Sequence, residues 1–181
     1  MKTFRQMKLW LVYLPFIIQG LLLYSCGQSI DPGKKTNSKN IEESLLKANR
    51  QLVKTEDQQI NDFISRYGWK MNETGTGLRY LVYRNGNGEK VVKGNKVTIS
   101  YTVSLLNGEV CYSSEKTGNK VFIVGQGGVE AGLEEGILFL KKGDRAKIIL
   151  PSHLAFGLVG DGDKIPAKAT LVYDVELLEI K

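Results

Sequence analysis

The side chains able to do covalent or acid–base chemistry are few, and their spacing does not assemble them. The 181 residues hold one histidine, His153, and two cysteines, Cys26 and Cys111. A lone histidine makes no triad, so Ser113-Ser114 carries no hydrolase signal and His153 reads as a surface loop residue. No Cys/His cluster exists for a metal. Glu134-Glu135 offer two carboxylates, but adjacent helix residues point in different directions and do not converge on one substrate. A solvated helix face accounts for them. Gly125-Gln126-Gly127-Gly128 is glycine-rich yet lacks the Lys-Ser/Thr that completes a phosphate loop. What remains is a set of aromatic and aliphatic residues near turns: Tyr101, Phe122, Val129, Leu133, Phe156, Ile165 and Tyr173. Any one of them alone reads as ordinary core. Nothing in this inventory calls for a cofactor.

The elements that position these residues follow from periodicity. Ile41, Leu45, Ala48 and Leu52, then Ile60, Phe63, Ile64 and Tyr67, recur at helical steps, with Asn40 as N-cap and Gly68 as terminator. Lys54 to Gln59 carries no apolar residue, so the helix is expected to break there or lie exposed. Packing on the domain is favoured for this helix over a dimerisation arm, because its stripe is too short and interrupted for a coiled coil. Beyond it, strands are expected at 78–84, 96–106, 109–114, 121–124, 145–150 and 170–180. Asn107-Gly108 is a strong hairpin turn, and 115–119 a loop. Val129 to Leu140 is the one short helical segment, with Leu133, Ile137 and Leu140 on one face. This is an α+β pattern: a curled antiparallel sheet around a single short helix, preceded by a helical segment.

The beginning of the chain reads as an export signal. Lys2, Arg5 and Lys8 precede a mostly apolar run from Leu9 to Leu23, shorter than the ~18–20 residues a membrane span needs. Leu23-Tyr24-Ser25-Cys26 resembles a bacterial lipobox, in which Cys26 is lipidated. Residues 1–25 are then a lipoprotein signal peptide, and 26–40 a lipidated cysteine with a flexible polar tether. Removing 1–25 takes away three cations and no acid, lowering the formal net charge of +6 to +3. The basic balance therefore belongs largely to the signal, and nucleic acid is not an expected partner. With Cys26 lipidated, Cys111 has no disulfide partner. The expected location is a bacterial membrane surface, exported and periplasm-facing.

The strongest motif lies late in the chain. Ala155-Phe156-Gly157, Ile165-Pro166-Ala167 and Ala169-Thr170-Leu171-Val172-Tyr173-Asp174-Val175-Glu176-Leu177-Leu178 follow one another at set spacing. Before them come Val97-Thr98-Ile99-Ser100-Tyr101, Asn107-Gly108-Glu109, Phe122-Ile123-Val124-Gly125, Gly132-Leu133-Glu134-Glu135-Gly136 and Lys142-Gly143-Asp144-Arg145-Ala146. In order and type these resemble the motifs of FKBP-type peptidyl-prolyl isomerases across most of residues 72–181, with 41–71 as the helical segment in front. The layout of lipobox, tether and helix resembles the FKBP-like lipoproteins of gliding bacteria, which are grouped with the gliding motility machinery.

The resemblance implies a non-covalent isomerase of X–Pro bonds in exported proteins, needing no cofactor or metal. Carried over by position, Tyr101, Phe122, Leu133, Phe156, Ile165 and Tyr173 wall the pocket, with Tyr101, Phe122, Phe156 and Tyr173 as its catalytic group. Val129 and Glu130 line the rim, where the Glu130 N–H is offered to a substrate carbonyl and the Tyr101 hydroxyl serves as a handle. Four departures shape the expectation. Cys111-Tyr112 stands where Phe-Asp is usual, removing an aromatic wall and a carboxylate. Leu133 replaces a frequent Trp, Phe156 a usual Tyr, and Glu130 a common Ile. Weaker catalysis and weaker macrolide binding than in typical members are expected. Proline-containing clients are the implied partners, with a homodimer through helix 41–67 as a further possibility and a prolyl-peptide-binding holdase as the alternative function.

Overall fold

The structure is a computed structural model that describes residues 38–181. The signal, Cys26 and almost all of the tether lie outside the described residues. The chain divides into two units, 1–44 and 45–181. The described part of the first is the opening of helix α1 (Ser38–Tyr67), where the Ser44 hydroxyl donates to the Asn40 carbonyl.

In the second unit, the rest of α1 is followed by β1 (Asn72–Glu73), β2 (Arg79–Arg84), β3 (Lys96–Leu105), β4 (Val110–Ser113), the single turn α2 (Ser114–Thr117) and β5 (Lys120–Ile123). Helix α3 (Ala131–Ile137), β6 (Arg145–Leu150), a 3-10 turn at Ser152–Leu154 and β7 (Leu171–Ile180) complete it. The seven strands form one antiparallel sheet in the order β1-β2-β6-β7-β3-β4, and β5 shares with β4 the outer edge of β3. Register shifts between Val82 and Arg84, Thr98 and Ile99, and Val103 and Ser104 bend the strands, as extra residues in a ladder do. The sheet thereby curls around α3, whose Leu133 and Ile137 are fully buried.

Burial on both faces explains the apolar runs Ile148–Leu150 at the end of β6 and Leu171–Tyr173 at the start of β7. Ile148, Leu150, Leu171 and Tyr173 turn to the α3 side, while Ile149 and Val172 turn to the other and meet Ile60 and Phe63 of α1. Helix α1 thus packs on the domain, as its apolar steps suggest. Ile60 and Phe63 are 0% and 5% exposed, each stabilising by roughly 1.5–3 kcal/mol.

The helix does not break at Lys54–Gln59, because that stretch docks by charge instead of by apolar contact. The Glu56 carboxylate accepts from the Ser152 N–H (2.6 Å), the Ser152 hydroxyl (3.0 Å) and the Thr170 hydroxyl (2.7 Å), and Asp57 pairs with the buried Arg79. The helix also starts by Ser38 rather than after Asn40. At its other end Gly68 takes φ +65° and its N–H reaches the Ser65 carbonyl, ending the helix as expected. Helix α3 is shorter than the expected 129–140, and residues 114–117 form a helical turn where a loop was expected.

Candidate functional site

Five of the expected site residues converge. Tyr101 from β3, Tyr112 from β4, Glu130 at the N-cap of α3, Phe156 after the 3-10 turn and Tyr173 from β7 line one cavity of about 330 Å³. Phe122, Leu133, Ile165 and Cys111 do not line it. They are 7%, 0%, 3% and 5% exposed and form the packed layer beneath, with Val129 half-buried against the same cluster. Their part is to hold the walls.

The hydroxyls are not idle. Tyr101 Oη lies 2.9 Å from Thr117 Oγ1, so the expected ligand handle is already engaged. Thr117 in turn donates to the Ser113 carbonyl. Ser114 Oγ accepts from the Tyr101 N–H at 3.1 Å and sits 2.8 Å from Ser100 Oγ. The Ser113-Ser114 pair therefore fixes the tyrosine strand and takes no part as a nucleophile.

Two sequence expectations are corrected here. Cys111-Tyr112 was expected to cost an aromatic wall and a carboxylate. Cys111 does turn into the core, where burial pushes its thiol up. Tyr112, however, lines the cavity, and its hydroxyl donates to Asp161 Oδ2 at 2.5 Å. The aromatic surface and the carboxylate are both present, supplied by different residues. The Asp161 hydrogen bond, with burial and two acidic neighbours, raises the Tyr112 phenol to about 12. Burial alone would raise the Asp161 carboxyl, but hydrogen bonds from Tyr112 and from the N–H groups of Asp163 and Ile165 outweigh it and hold it below its usual range. Those bonds also close the loop that carries Phe156, aided by Lys168 N–H to Gly157 O at 2.8 Å.

The second correction concerns Glu130. It was expected to make the rim more polar. Instead its side chain is 8% exposed and dives into the cavity, where Tyr173 Oη donates to its Oε1 at 2.7 Å. Burial, then the Glu130 charge and hydrogen bond, push the Tyr173 phenol far above its ordinary value, so it stays a donor.

Lys120 and Asp161 were missed. Lys120 Nζ lies 3.7 Å from Glu130 Oε2 and 5.1 Å from the Tyr101 ring centroid. A signal existed: Lys120 precedes the buried Phe122 by two residues and so shares its face of β5. Asp161-Gly162-Asp163 is a turn signal, which gives no hint of facing an aromatic cavity.

The glycine-rich loop binds a side chain of its own protein. Glu134 Oε1 accepts from the N–H groups of Gly125 (3.1 Å) and Gly127 (2.9 Å), while the Glu135 carboxylate accepts from the Thr76 hydroxyl. The adjacent acids do diverge on a partly exposed helix face, each also tying down a different segment. His153 is exposed, with Nε2 3.0 Å from the Thr76 carbonyl.

A curled antiparallel sheet wrapped on one short helix, with an aromatic cavity at its mouth, defines an FKBP-like domain. The chain belongs to the FKBP-type peptidyl-prolyl cis-trans isomerase family, whose model matches residues 87–178. It is 36% identical over 110 residues to the FKBP-type peptidyl-prolyl cis-trans isomerase FkpA of Buchnera aphidicola from Acyrthosiphon pisum, covering 61% of this chain and 45% of that protein. The chain thus spans less than half the length of that relative. Among solved structures, AtFKBP13 superposes with a TM-score of 0.60 at 28% identity, covering 62% of this chain and all of that one. FkpA of Escherichia coli superposes with a TM-score of 0.60 at 26% identity, covering 92% of this chain and 81% of that one.

Proposed function

We propose that this protein is a peptidyl-prolyl cis-trans isomerase acting non-covalently on X–Pro bonds. The observation that carries the reading is the convergence of Tyr101, Tyr112, Phe156 and Tyr173 on one cavity large enough for a prolyl residue. Rotation about a peptide bond faces ~18–20 kcal/mol because amide resonance is lost on twisting. That resonance places negative charge on the carbonyl oxygen, and the twisted amide carries less of it. An aromatic wall that strips water from the carbonyl therefore destabilises the planar form more than the twisted one. Tighter binding of the twisted form adds rate. In this reading the Glu130 N–H, at the N-cap of α3, meets a substrate carbonyl, and the packed layer of Phe122, Leu133 and Ile165 keeps the walls in place.

The test is a proline-limited refolding or protease-coupled assay on residues 27–181, beside Phe156→Ala and Tyr173→Ala. Catalysis that the two substitutions abolish supports the reading; the absence of catalysis refutes it. A second reading, a prolyl-peptide-binding holdase, is favoured by the carboxylate of Glu130 inside the cavity, which makes a poorer apolar wall than the family resemblance implies. Peptide binding without turnover would establish it.

The wider proposal is a lipid-anchored folding factor for exported proteins, with a role in gliding motility. Its support is the basic start, apolar run and lipobox ending at Cys26. Loss of membrane association and of palmitate labelling in Cys26→Ala tests the anchor, and loss of colony spreading on deletion tests the role. A homodimer through the helix is supported by Leu45, Leu46, Leu52 and Val53, exposed by 65%, 52%, 44% and 51%. Light scattering tests it.

A further inference from the structure

We infer that Glu130 sets the substrate preference of the prolyl cavity, favouring peptides that carry lysine or arginine beside the proline; this rests on the prolyl-binding reading above. The Glu130 side chain is 8% exposed and lines the cavity. Its Oε1 accepts from Tyr173, but among the described residues its buried Oε2 has no hydrogen-bond partner. Lys120 Nζ, 3.7 Å away, supplies opposite charge without a hydrogen bond, and itself leans over the Tyr101 ring. A carboxylate oxygen buried on a residue that lines a ligand cavity is costly unless something donates to it.

The occupant decides whether that cost is met. A leucine beside the proline offers no donor to Oε2, which is already shut off from water. A lysine ammonium or an arginine fork brings several N–H groups and makes a charge-assisted bond, the stronger class of hydrogen bond. The surrounding charge points the same way. Asp161 also lines the cavity, and its oxygens are already taken by Tyr112 and by the N–H groups of Asp163 and Ile165. It contributes negative charge without competing for the donor. Two carboxylates therefore face one lysine inside the cavity, while Asp163 and Lys164 offset each other outside it. An acidic residue beside the proline is disfavoured on the same ground.

The experiment measures binding and isomerisation of three peptides, Ala-Lys-Pro-Phe, Ala-Leu-Pro-Phe and Ala-Glu-Pro-Phe, by the full chain in detergent. The lysine peptide is expected to bind about tenfold more tightly than the leucine peptide, the ratio one charged hydrogen bond supplies, with the glutamate peptide weakest. Glu130→Gln keeps the shape, removes the charge, and is expected to bring the lysine and leucine peptides within about twofold. Leucine bound as tightly as lysine by the native protein overturns the inference. So does a lysine preference that survives Glu130→Gln, since Asp161 would then carry it. If Glu130→Gln does not fold, Lys120→Met replaces it: a widened lysine-to-leucine ratio is expected, and an unchanged one overturns the inference. Binding with the expected order but no turnover refutes the isomerase reading alone. No binding of any prolyl peptide refutes both.

Discussion

Tyr173→Phe removes one oxygen from the middle of the protein and leaves every apolar contact of the ring in place. Tyr173 is 1% exposed, and its hydroxyl is the only hydrogen-bond donor to Glu130 Oε1 among the described residues. Oε2 already lacks a hydrogen bond. The substitution therefore leaves a carboxylate with an 8% exposed side chain and no hydrogen bond at either oxygen, with only Lys120 nearby. Losing a bond to a charged buried acceptor costs ~1.5–3 kcal/mol. For a domain of this size each kcal/mol moves Tm by about 2–8 °C. The assay is thermal and urea unfolding at neutral pH of the native chain, Tyr173→Phe, Glu130→Ile and the double variant. Removing both polar partners is close to neutral where removing one is not. The double variant is accordingly expected to be more stable than the sum of the singles by at least about 1 kcal/mol. A Tyr173→Phe change within ~0.5 kcal/mol of native, with additive singles, would refute the argument that this pair is a coupled unit.

Three more outcomes are expected. Glu56→Ala deletes the acceptor shared by Ser152 and Thr170; it should cost ~1–3 kcal/mol and speed amide exchange along the α1 residues around Ile60, whereas unchanged exchange would mean that Ile60 and Phe63 dock the helix alone. Gly160→Ala sets a Cβ 2.2 Å from the Ile165 carbonyl at a residue with φ +74°, so the loop bearing Phe156 must shift; prolyl-peptide affinity should fall several-fold, and native affinity would show the loop to be unimportant. Acid should destabilise the fold: hydrogen bonds from Arg145 outweigh burial and hold the Glu176 carboxyl below 4.5, as those on Asp161 hold it below 3.8. Both groups bind protons more weakly folded than unfolded, so their stabilisation is complete above about 4.5 and is lost as pH falls through the lower folded values. Glu176→Gln should flatten that dependence, and an unaltered acid transition would count against it.

The strands were legible because their signals are local. Val97, Ile99, Tyr101 and Val103 alternate with polar residues, and Asn107-Gly108 marks the turn between β3 and β4. Packing of α1 could be read from Ile60 and Phe63, but its continuity through Lys54–Gln59 could not. The partners of Glu56, Ser152 and Thr170, are distant in the chain, and no periodicity announces them. The site divides in the same way. Tyr101, Phe156 and Tyr173 were placed by their neighbours in sequence. The inward turn of Glu130 depends on Tyr173, and the role of Tyr112 on Asp161, both pairs joined only by the folded backbone. Long-range polar pairing is what the sequence order of motifs leaves unspecified.

Strand β7 comes latest among the elements, yet it lies between β6 and β3 at the centre of the sheet. Until residues 171–180 are available, β3 and β6 each present a bare ladder edge, and the two halves of the sheet have nothing to join them. A chain emerging from a ribosome cannot close this domain progressively. The domain stays unassembled until β7 itself has emerged. Proteolytic trimming of β7, unlike trimming of β1 at the sheet's edge, would unmake the whole domain rather than shorten it.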